Sequence, residues 1–346
     1  MKRRTFLASA SVAGAAPLLT GLTAGQTRAA EPDALPRFDP AGETVRDGMR
    51  YRQLGSTGVE VSCVGVGGFH IGVPNDEQEG IKIIRAALDA GMNFLDNSWD
   101  YHDGGSEIRM GKALQGGYRK KAFLMTKIDG RTKEAAAKQI DECLKRLQTD
   151  VIDLIQHHEV IRVEDPDRIF RAGGAQEAVD AAKKAGKVRF VGFTGHKDPF
   201  VHLRTLELAK EHGVRFDTVQ MPLNVLDAHF RSFARQVLPV MVKEQIGVLG
   251  MKPMASGAVL KAKAATADEC LRYALTLPTS VVITGMESMD RLTQALNVVK
   301  DFKPLPEAEV TALLAKTAKA AAKGEYEGFK TGTQFDATAK NPQWLG

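Results

Sequence analysis

Cysteine is scarce in this chain and is not placed to form a structural framework. The 346 residues include only Cys63, Cys143 and Cys270, which lie far apart and form no C-x-x-C pair. An odd number of cysteines at this spacing predicts neither a disulfide framework nor an iron–sulfur or zinc site. We therefore expect the fold to rest on a packed core.

The chain also lacks an excess of positive charge once its first residues are set aside. Lys and Arg number 47 and Asp and Glu 42, but residues 1–30 hold four of the bases and no acid. The remainder has 43 bases against 42 acids. A nucleic-acid-binding protein needs clustered positive charge to neutralise phosphates, so no nucleic-acid partner is expected. The overall composition, 43% hydrophobic and 26% charged, excludes a disordered or multi-span membrane protein.

Residues 1–30 have the pattern of an export signal. The pair Arg3-Arg4 is followed by Phe6-Leu7 and an uncharged stretch over 5–27, and Ala29-Ala30 supply small residues for cleavage. This order resembles a twin-arginine (Tat) signal peptide. Pro17 interrupts the stretch, which is a poor match to the ~20 apolar residues of a membrane span. We expect export to the periplasm by the Tat machinery, with no stable membrane span after cleavage.

Beyond a linker expected over residues 31–50, short apolar runs alternate with segments of helical period. The apolar runs are residues 61–67, 93–97, 122–127, 152–158, 188–194, 218–222, 247–252 and 280–285. The helical segments are residues 78–90, 132–147, 176–185, 199–212, 231–245, 267–277 and 288–300. Eight strands in this alternation predict an α/β fold, a single-domain (β/α)8 TIM barrel over residues 51–300. Residues 301–346 are expected to form a C-terminal helix (307–323) and an irregular tail.

The dinucleotide fingerprint of an open parallel sheet is absent. After the first apolar run, Gly65 and Gly67-Gly68 are followed by Phe69-His70 and Pro74, so G-x-G-x-x-G is not completed. In a closed barrel the chemistry is expected at the carboxyl ends of the strands, where the loops converge.

Four kinds of polar side chain stand at or just beyond three strand ends. They are Asp96 and Tyr101, Lys127, and the pair His157-His158. A neighbouring ammonium would lower the phenol pKa from ~10, the carboxylate would hold that cation, and a histidine would orient a substrate oxygen. Neighbours on a strand point to opposite faces, so one histidine is expected at the barrel mouth and the other in the core.

Over residues 51–300 the sequence resembles the aldo-keto reductases. The motifs that carry the resemblance are YRQLGSTG at 51–58, GMNFLD at 91–96, Tyr101, GSE at 105–107, GKAL at 111–114, TK at 126–127, DLIQHH at 153–158 and VQ at 219–220. The resemblance implies a catalytic tetrad of Asp96, Tyr101, Lys127 and His158. The family spacing of five residues after Asp153 selects His158.

The resemblance also implies a nicotinamide dinucleotide and a set of residues that bind it. The implied cofactor residues are Thr194, Gln220, Met251, Lys252, Pro253, Ser256, Gly257, Gly285, Ser288, Arg291 and Gln294. Gly195 stands where the family usually has Asn, Met251 where it often has an aromatic residue, and Ala295 where Asn is usual. Arg291 could pair with a 2′-phosphate, which favours NADP(H), whereas Glu287 opposes that pairing and leaves NAD(H) possible.

The expected activity is reduction of a small-molecule aldehyde or ketone. Phe69, Trp99 and His102, with the tail around Trp344, are candidate pocket walls, and Trp99 suggests an apolar or aromatic carbonyl. Two alternatives stay open: a non-catalytic dinucleotide-binding sensor or partner subunit, and a metal-dependent barrel hydrolase. The second would draw on His102, His157, His158 and His196, but no H-x-H or H-E-x-x-H spacing supports metal coordination. No metal is therefore expected.

Overall fold

The computed structural model describes residues 35–333 and 335–346. The predicted export signal, residues 1–30, lies outside them. None of the helices in the described part is long and apolar enough to cross a bilayer.

Eight parallel strands close into a barrel, which confirms the predicted fold. Each strand pairs with the next along the chain, and the last pairs with the first, as in the register of Thr284 opposite Val66. The barrel strands are β4 (Val64–Val66), β5 (Phe94–Leu95), β6 (Phe123–Ile128), β7 (Ile152–His157), β8 (Val188–Thr194), β9 (Thr218–Pro222), β10 (Gly247–Met251) and β11 (Val281–Thr284).

Helices alternate with these strands and cover the outside of the barrel. Several begin at a side-chain cap: α4 follows Thr132, whose hydroxyl accepts from the Ala135 amide at 3.2 Å. The helices are α1 (Gly68–Ile71), α2 (Glu77–Asp89), α3 (Gly105–Ala113), α4 (Lys133–Leu147), α5 (Asp165–Phe170), α6 (Ala175–Lys184), α7 (Pro199–Glu211), α8 (Phe233–Gln236), α9 (Leu238–Glu244), α10 (Ala258–Lys261), α11 (Ala267–Thr276), α12 (Met289–Lys300), α13 (Glu307–Ala321), α14 (Gly328–Thr331) and α15 (Ala337–Lys340).

The linker expected over residues 31–50 is partly wrong, because a hairpin forms there. β1 (Glu43–Arg46) and β2 (Met49–Gln53) pair antiparallel, and β3 (Glu60–Ser62) adds a third strand. The turn is Asp47-Gly48, with φ of 51° and 82°. Two central residues at positive φ form the tight hairpin turn that Asp-Gly favours, so the sequence carried a signal for this hairpin.

The three-stranded sheet closes the end of the barrel where its strands begin. β3 runs directly into β4, and the buried Arg52 side chain bonds the backbone oxygens of Thr279 and Leu275, just before β11. Glu43 holds the same guanidinium at 2.9 Å. The opposite end, where the barrel strands finish, is left for polar loops.

Two further differences from the predicted elements have local causes. The helix expected over 231–245 is divided into α8 and α9, because Pro239 stands in the first turn of α9 and cannot continue a helix from α8. The run expected over 61–67 is divided between β3 and β4. The C-terminal helix is present as α13, and the tail contains the short helices α14 and α15.

The part of the barrel interior next to the three-stranded sheet is filled with apolar side chains. Phe94 and Phe123 stack there with ring centroids 5.4 Å apart, and Leu154, Leu249 and Val281 belong to the same buried cluster. A filled interior leaves no channel through the barrel. The polar residues at the strand ends therefore face the loops of one open end.

Candidate active site

Three of the predicted residues meet at the amino group of Lys127. Lys127, in β6, is 1% exposed. Its Nζ forms an ion pair with the Asp96 carboxylate, donates to the backbone oxygen of Asn97 at 2.6 Å, and lies 3.2 Å from the hydroxyl of Tyr101. Asp96 comes directly after β5, so two neighbouring strand ends and the loop that follows β5 build this contact.

A tight turn after β5 brings Tyr101 to the lysine. Tyr101 begins a 3₁₀ turn in which His102 and Asp103 have φ of 52° and 54°. Gly104, at φ 85°, then starts α3. Such left-handed residues are unfavourable outside glycine and are found where a local geometry must be held. The turn therefore fixes the phenol over the strand ends.

The predicted lowering of the Tyr101 pKa is wrong for this arrangement. Burial raises the pKa of Tyr101 well above its ordinary value, and the Asp96 and Asp100 carboxylates add to that increase because they repel a phenolate. Lys127 does not reverse this net shift. Tyr101 is thus a neutral phenol near neutral pH, and it can donate its proton only to a strongly basic oxygen.

His158 lies next to Tyr101 and is held through one ring nitrogen. The two rings pack edge to face, with centroids 5.7 Å apart. Nδ1 of His158 lies 2.9 Å from Asp129 Oδ1, 3.1 Å from Ser98 Oγ and 3.5 Å from Asp100 Oδ1. The fourth predicted residue is therefore in the same cluster as the other three.

Carboxylates set the protonation of this cluster. Burial opposes the charged form of His158, but the carboxylates of Asp129 and Asp100 outweigh it and raise the pKa of His158 above its ordinary value of 6.5. Burial and the nearby Asp129 raise the pKa of Asp100 to about 6. The charge of the cluster is therefore shared by the imidazole of His158 and the carboxyl groups of Asp100 and Asp129.

His157 points away from the site. Its Nε2 lies 2.9 Å from Gln176 Oε1 on α6, in the helical layer. Burial lowers the pKa of His157 to about 4, so the ring is neutral. The neighbouring histidines thus face opposite sides, as strand geometry requires.

The four histidines considered as metal ligands do not share a site. Nε2 of His102 contacts the backbone oxygen of Phe69 at 2.8 Å, and Nδ1 of His196 contacts that of Phe329 at 3.1 Å. Among residues 35–333 and 335–346, one group of three acidic or histidine side chains, Asp100, Asp129 and His158, lies within 4.8 Å. It contains only one of the four histidines.

The predicted pocket walls lie in two different places. Phe69 is 50% exposed and packs edge to face on Tyr101 at 5.7 Å, with the His102 ring 4.8 Å from its centroid. Trp99 instead donates from Nε1 to Glu142 at 2.7 Å and packs edge to face against Trp344 at 4.9 Å. Phe69 therefore borders Tyr101 directly, His102 packs on Phe69, and the tail supplies the partner of Trp99.

The residues implied for the nicotinamide end lie on β8, β9 and β10. Thr194 Oγ1 lies 4.0 Å from Met251 Sδ, and Gln220 is 1% exposed. Gly195 has no room for a side chain, because a Cβ there would lie 2.2 Å from the backbone oxygen of Val160. The asparagine contact usual in the family is therefore impossible at this position.

The loop after β10 has an unusual backbone and a lysine in an aromatic setting. Lys252, Ser256 and Gly257 have positive φ of 54°, 56° and 83°, and Pro253 between them is buried. The Lys252 ammonium lies 5.2 Å from the ring centroid of Phe335, in the tail. Burial lowers the pKa of Lys252 to about 8.

The remaining implied residues surround the start of α12. Ser288 caps α12 by accepting from the Arg291 amide at 3.4 Å, and Arg291 donates to Gln294 Oε1 at 3.1 Å. Gly285 lies beneath His70, whose ring would be 2.6 Å from an added Cβ. A surface cavity of about 470 Å³ is lined by Asp268, Asp290, Arg291, Thr293, Gln294, Asn297 and Val298.

Comparison with known proteins decides the family. The model of the aldo/keto reductase family matches residues 63–270. The chain belongs to the aldo/keto reductase family. Membership in this family implies an oxidoreductase.

Individual relatives in this family are about 30% identical to the chain. The uncharacterized oxidoreductase YrpG of Bacillus subtilis is 30% identical over 229 residues, which cover 60% of this chain and 68% of YrpG. Aldo-keto reductase YhdN of the same organism is 30% identical over 220 residues, or 58% and 61% of the two chains. L-galactose dehydrogenase of Arabidopsis thaliana is 31% identical over 221 residues, or 60% and 66%. The chain thus spans less than two thirds of the length of the last two relatives.

Solved structures of aldo-keto reductases share the fold. The holo form of AKR11C1 from Bacillus halodurans has a TM-score of 0.63 and 24% identity, covering 81% of this chain and 99% of that one. An aldo-keto reductase from Pseudomonas aeruginosa has a TM-score of 0.60 and 22% identity, covering 72% and 94%. At these identities the likeness shows the barrel fold.

One orphaned atom of this aldo-keto reductase fits the cofactor that its family implies. Gln220 Oε1 is buried and has no hydrogen-bond partner within the described residues. A buried acceptor without a donor is costly, so a ligand that brings an amide N–H to it would be favoured. The carboxamide of a nicotinamide is such a group. The donor set around Gln220 is therefore compatible with that cofactor.

Sequence reasoning missed the residues that contact His158. Asp129, Ser98 and Asp100 contact His158 but belong to no motif of the resemblance. A signal was present for Asp129: it lies two residues after Lys127 at the end of the same strand, and side chains two residues apart point the same way. Strand periodicity could have placed its carboxylate at the barrel mouth.

Proposed function

We propose that the protein is an exported, NADP(H)-dependent reductase that converts an aldehyde or ketone to an alcohol, with Tyr101 as the proton donor. The observation that supports this best is the contact of Lys127 Nζ with both Asp96 and, at 3.2 Å, the Tyr101 hydroxyl. Phe69 borders the phenol, and Phe69 with the His102 ring that packs on it would form the wall nearest to a small carbonyl substrate.

Each residue of the tetrad has a separate task in this mechanism. When bound, the dinucleotide supplies the hydride for the carbonyl carbon. Tyr101 holds its proton until the substrate oxygen becomes strongly basic, and then transfers it. Lys127 places a fixed positive charge beside the phenol oxygen as that oxygen loses its proton, and His158 donates a hydrogen bond to the substrate oxygen.

Buried side chains support the cofactor assignment at the nicotinamide end. Gln220 offers an unpartnered acceptor for the carboxamide, and Thr194 a hydroxyl. Met251 would contact the ring through a soft thioether in place of an aromatic side chain. Lys252 and the positive-φ backbone around Ser256 and Gly257 would face the pyrophosphate.

The preference for NADP(H) rests on Arg291. Its guanidinium is exposed in the cavity beside α12, where it could pair bidentately with a 2′-phosphate. The carboxylates of Asp290 and Asp268 line the same cavity and would repel a 2′-phosphate. Comparison of kcat/KM for NADPH and NADH tests the assignment. Arg291→Ala is expected to reduce only the NADPH value.

The central experiment follows NADPH oxidation by the purified protein over a panel of apolar and aromatic aldehydes and ketones. Tyr101→Phe is expected to lower kcat about 10²- to 10⁴-fold, the range of a lost general acid. Tyr118→Phe removes a hydroxyl that bonds Asp89 on the surface and is expected to leave kcat unchanged. Turnover that survives Tyr101→Phe would remove Tyr101 from this role. NADPH binding without turnover by the wild type would favour a dinucleotide sensor.

Export is proposed from the sequence of residues 1–30. The paired Arg3-Arg4 is the feature that a Tat translocase would recognise. Replacing both by lysine is expected to retain the precursor in the cytoplasm, whereas Lys2→Arg should have no effect. Unchanged periplasmic yield for the double-lysine variant would contradict a twin-arginine route.

A further inference from the structure

The hydrogen bonds at Nδ1 of His158 determine which of its ring nitrogens carries a proton. Ser98 Oγ donates its single hydrogen to Asp100 Oδ1 at 2.6 Å, so it can only accept from the imidazole at 3.1 Å. The Asp129 carboxylate, 2.9 Å from Nδ1, is also an acceptor. Nδ1 is therefore surrounded by acceptors and must be the N–H of the ring.

This assignment has a consequence for the other nitrogen. A neutral imidazole carries one hydrogen, so a ring protonated at Nδ1 has a bare Nε2 that accepts but cannot donate. Donation from Nε2 to a substrate oxygen then requires the doubly protonated imidazolium. Within the described residues no protein group bonds Nε2, so this nitrogen is free to face a substrate.

Asp129 is placed to stabilise that cation. Its side chain is 0% exposed, and its second oxygen, Oδ2, has no partner among the described residues. A buried carboxylate needs a compensating charge, and the imidazolium at 2.9 Å is the nearest candidate. Arg131 holds the backbone of both members of this pair, because its guanidinium donates to the backbone oxygen of Asp129, at 3.0 Å, and to that of His158.

We propose that Asp129 is a positioning residue that holds His158 as an imidazolium with Nε2–H directed at the substrate oxygen. The role in turnover rests on the proposed reductase function. The charge state of His158 does not, and it can be measured in the free protein. The substrate oxygen is then stabilised by a buried cation–carboxylate pair in addition to the neutral phenol of Tyr101.

The electrostatic surroundings of His158 agree with this geometry. The acidic groups that act on the ring are Asp129 after β6, Asp100 after β5, and Glu159 next in the chain, and together they raise the pKa of His158 despite its burial. A base with a raised pKa is charged below that pKa and loses its proton as the pH rises through it. Reductase activity should accordingly fall on the alkaline side when His158 becomes neutral.

The test is an NMR titration of the full-length exported protein labelled with ¹³C at histidine Cε1. His158→Gln identifies the resonance. We expect the wild-type His158 to titrate above 6.5, and Asp129→Asn to lower that value by about one pH unit, a tenfold loss of proton affinity. Asp100→Asn should produce a smaller decrease, because Asp100 lies farther from Nδ1. Asp89→Asn, on the surface of α2, should produce none.

Kinetics provide the second readout. In the wild type the alkaline limb of kcat should follow the His158 titration, and Asp129→Asn should shift that limb to lower pH by the same amount with little change in KM. A merely structural role for Asp129 would change kcat at all pH values without moving the limb. Absence of any turnover would overturn the reductase function, while the titration would still decide the state of His158.

Two results would overturn the proposal. One is a wild-type His158 that titrates below 6.5, or an identical value in folded Asp129→Asn; should that variant not fold, the wild-type and Asp100→Asn titrations decide. The other is stoichiometric binding of Zn²⁺ that abolishes the His158 titration and is reversed by a chelator. The cluster would then be a cation site.

Discussion

At the scale of single residues, the site depends on a proton that is difficult to remove. Burial and carboxylates hold the Tyr101 proton in place, while Lys127 keeps a cation 3.2 Å from the oxygen that carries it. The cation matters most at the moment of transfer, when a phenolate begins to form. A donor of this kind stays protonated through the neutral range and responds only to an alkoxide-like oxygen.

Gln220 gives a prediction about cofactor binding. Gln220→Leu removes the unpartnered Oε1 and is expected to weaken binding of NADPH about tenfold, or ~1.4 kcal/mol, because one hydrogen bond to the carboxamide is lost. The melting temperature should not fall, since the buried acceptor has no partner in the protein to lose. Quenching of tryptophan fluorescence by NADPH measures the Kd.

Gln156 is the matched control for this prediction. It is also a buried glutamine with an unpartnered Oε1; it lies in β7, separated from β9 by β8, and its Nε2 donates to Thr218 Oγ1 at 3.1 Å. Gln156→Leu should change stability and leave the Kd for NADPH unchanged. Equal weakening by both substitutions would show that Gln220 acts through packing.

The contrast between Asp129 and Lys127 shows what the sequence could tell at this scale. Lys127 stands in a motif, so the resemblance gave it a role before its contacts were known. Asp129 does not, and its 2.9 Å contact with His158 depends on how β6 and β7 are aligned in space. A carboxylate in a loop has many possible partners, and only the fold selects one.

At the scale of elements, the end of β7 places two neighbouring histidines in environments that favour opposite charge states. His158, just beyond the strand, faces acids that favour its charged form, whereas His157 is buried against α6 and neutral. The alternation of a strand explains the separation, and it was predictable. Strand periodicity could place Asp129 at the barrel mouth, but its contact with His158, and that of Asp100, was not predictable because these acids follow two other strands.

His157 gives a prediction about stability in acid. Its pKa is about 4 in the folded protein and ~6.5 when unfolded, so the unfolded chain binds the extra proton between these values. Stability is therefore lost as pH falls below 6.5. At pH 5 the loss from this residue is about 2 kcal/mol. His157→Gln keeps an amide for Gln176 and should remove that part of the loss.

Urea unfolding at pH 7.5 and pH 5 measures the difference. The wild type should lose more stability than His157→Gln between the two values, by about 2 kcal/mol. Other buried histidines, such as His202, with a pKa lowered to about 3 by burial, contribute equally to both proteins. The same pH dependence in both proteins would mean that His157 is not responsible.

The hairpin of β1 and β2 shows why one element was missed. The alternation of strand and helix dominated the pattern from residue 51 onward, and the segment before it was assigned no structure. Asp47-Gly48 was nevertheless a turn signal, and Glu43 and Arg52, which form an ion pair across the two strands, lie on either side of it. Short antiparallel strands with exposed faces have little apolar periodicity, so the turn was the sequence feature that indicated the hairpin.

At the scale of the whole molecule, the tail is tied to the barrel by a buried charge cluster. Lys330 in α14 is 0% exposed and contacts Asp227 Oδ1 at 2.6 Å, Glu327 Oε2 at 3.0 Å and the backbone oxygen of Phe230 at 2.7 Å. Asp227 belongs to the loop that follows β9. The anchor thus fixes the tail beside the open end of the barrel, where Phe335 packs near Lys252.

Removing the ammonium tests how much this anchor contributes. Lys330→Met leaves Asp227 and Glu327 buried without a cation, and burial already raises the pKa of Glu327 to about 7. Breaking a buried pair in this way typically costs about 3–5 kcal/mol. We expect a loss of about 3 kcal/mol in urea unfolding and faster hydrogen exchange in residues 324–346, because the tail loses its attachment before the barrel unfolds.

Lys316→Met is the control. Lys316, on α13, is exposed and lies 3.1 Å from Glu269, so its removal should lower the free energy of unfolding by less than about 1 kcal/mol. The double variant Lys330→Met with Asp227→Asn removes one of the two stranded carboxylates and should recover part of the loss. If Lys330→Met and Lys316→Met proved equally mild, the cluster would not anchor the tail, and the packing of Phe329 and Phe335 would have to hold it. A tail held by packing would respond instead to Phe335→Ala, which the same exchange measurement would detect.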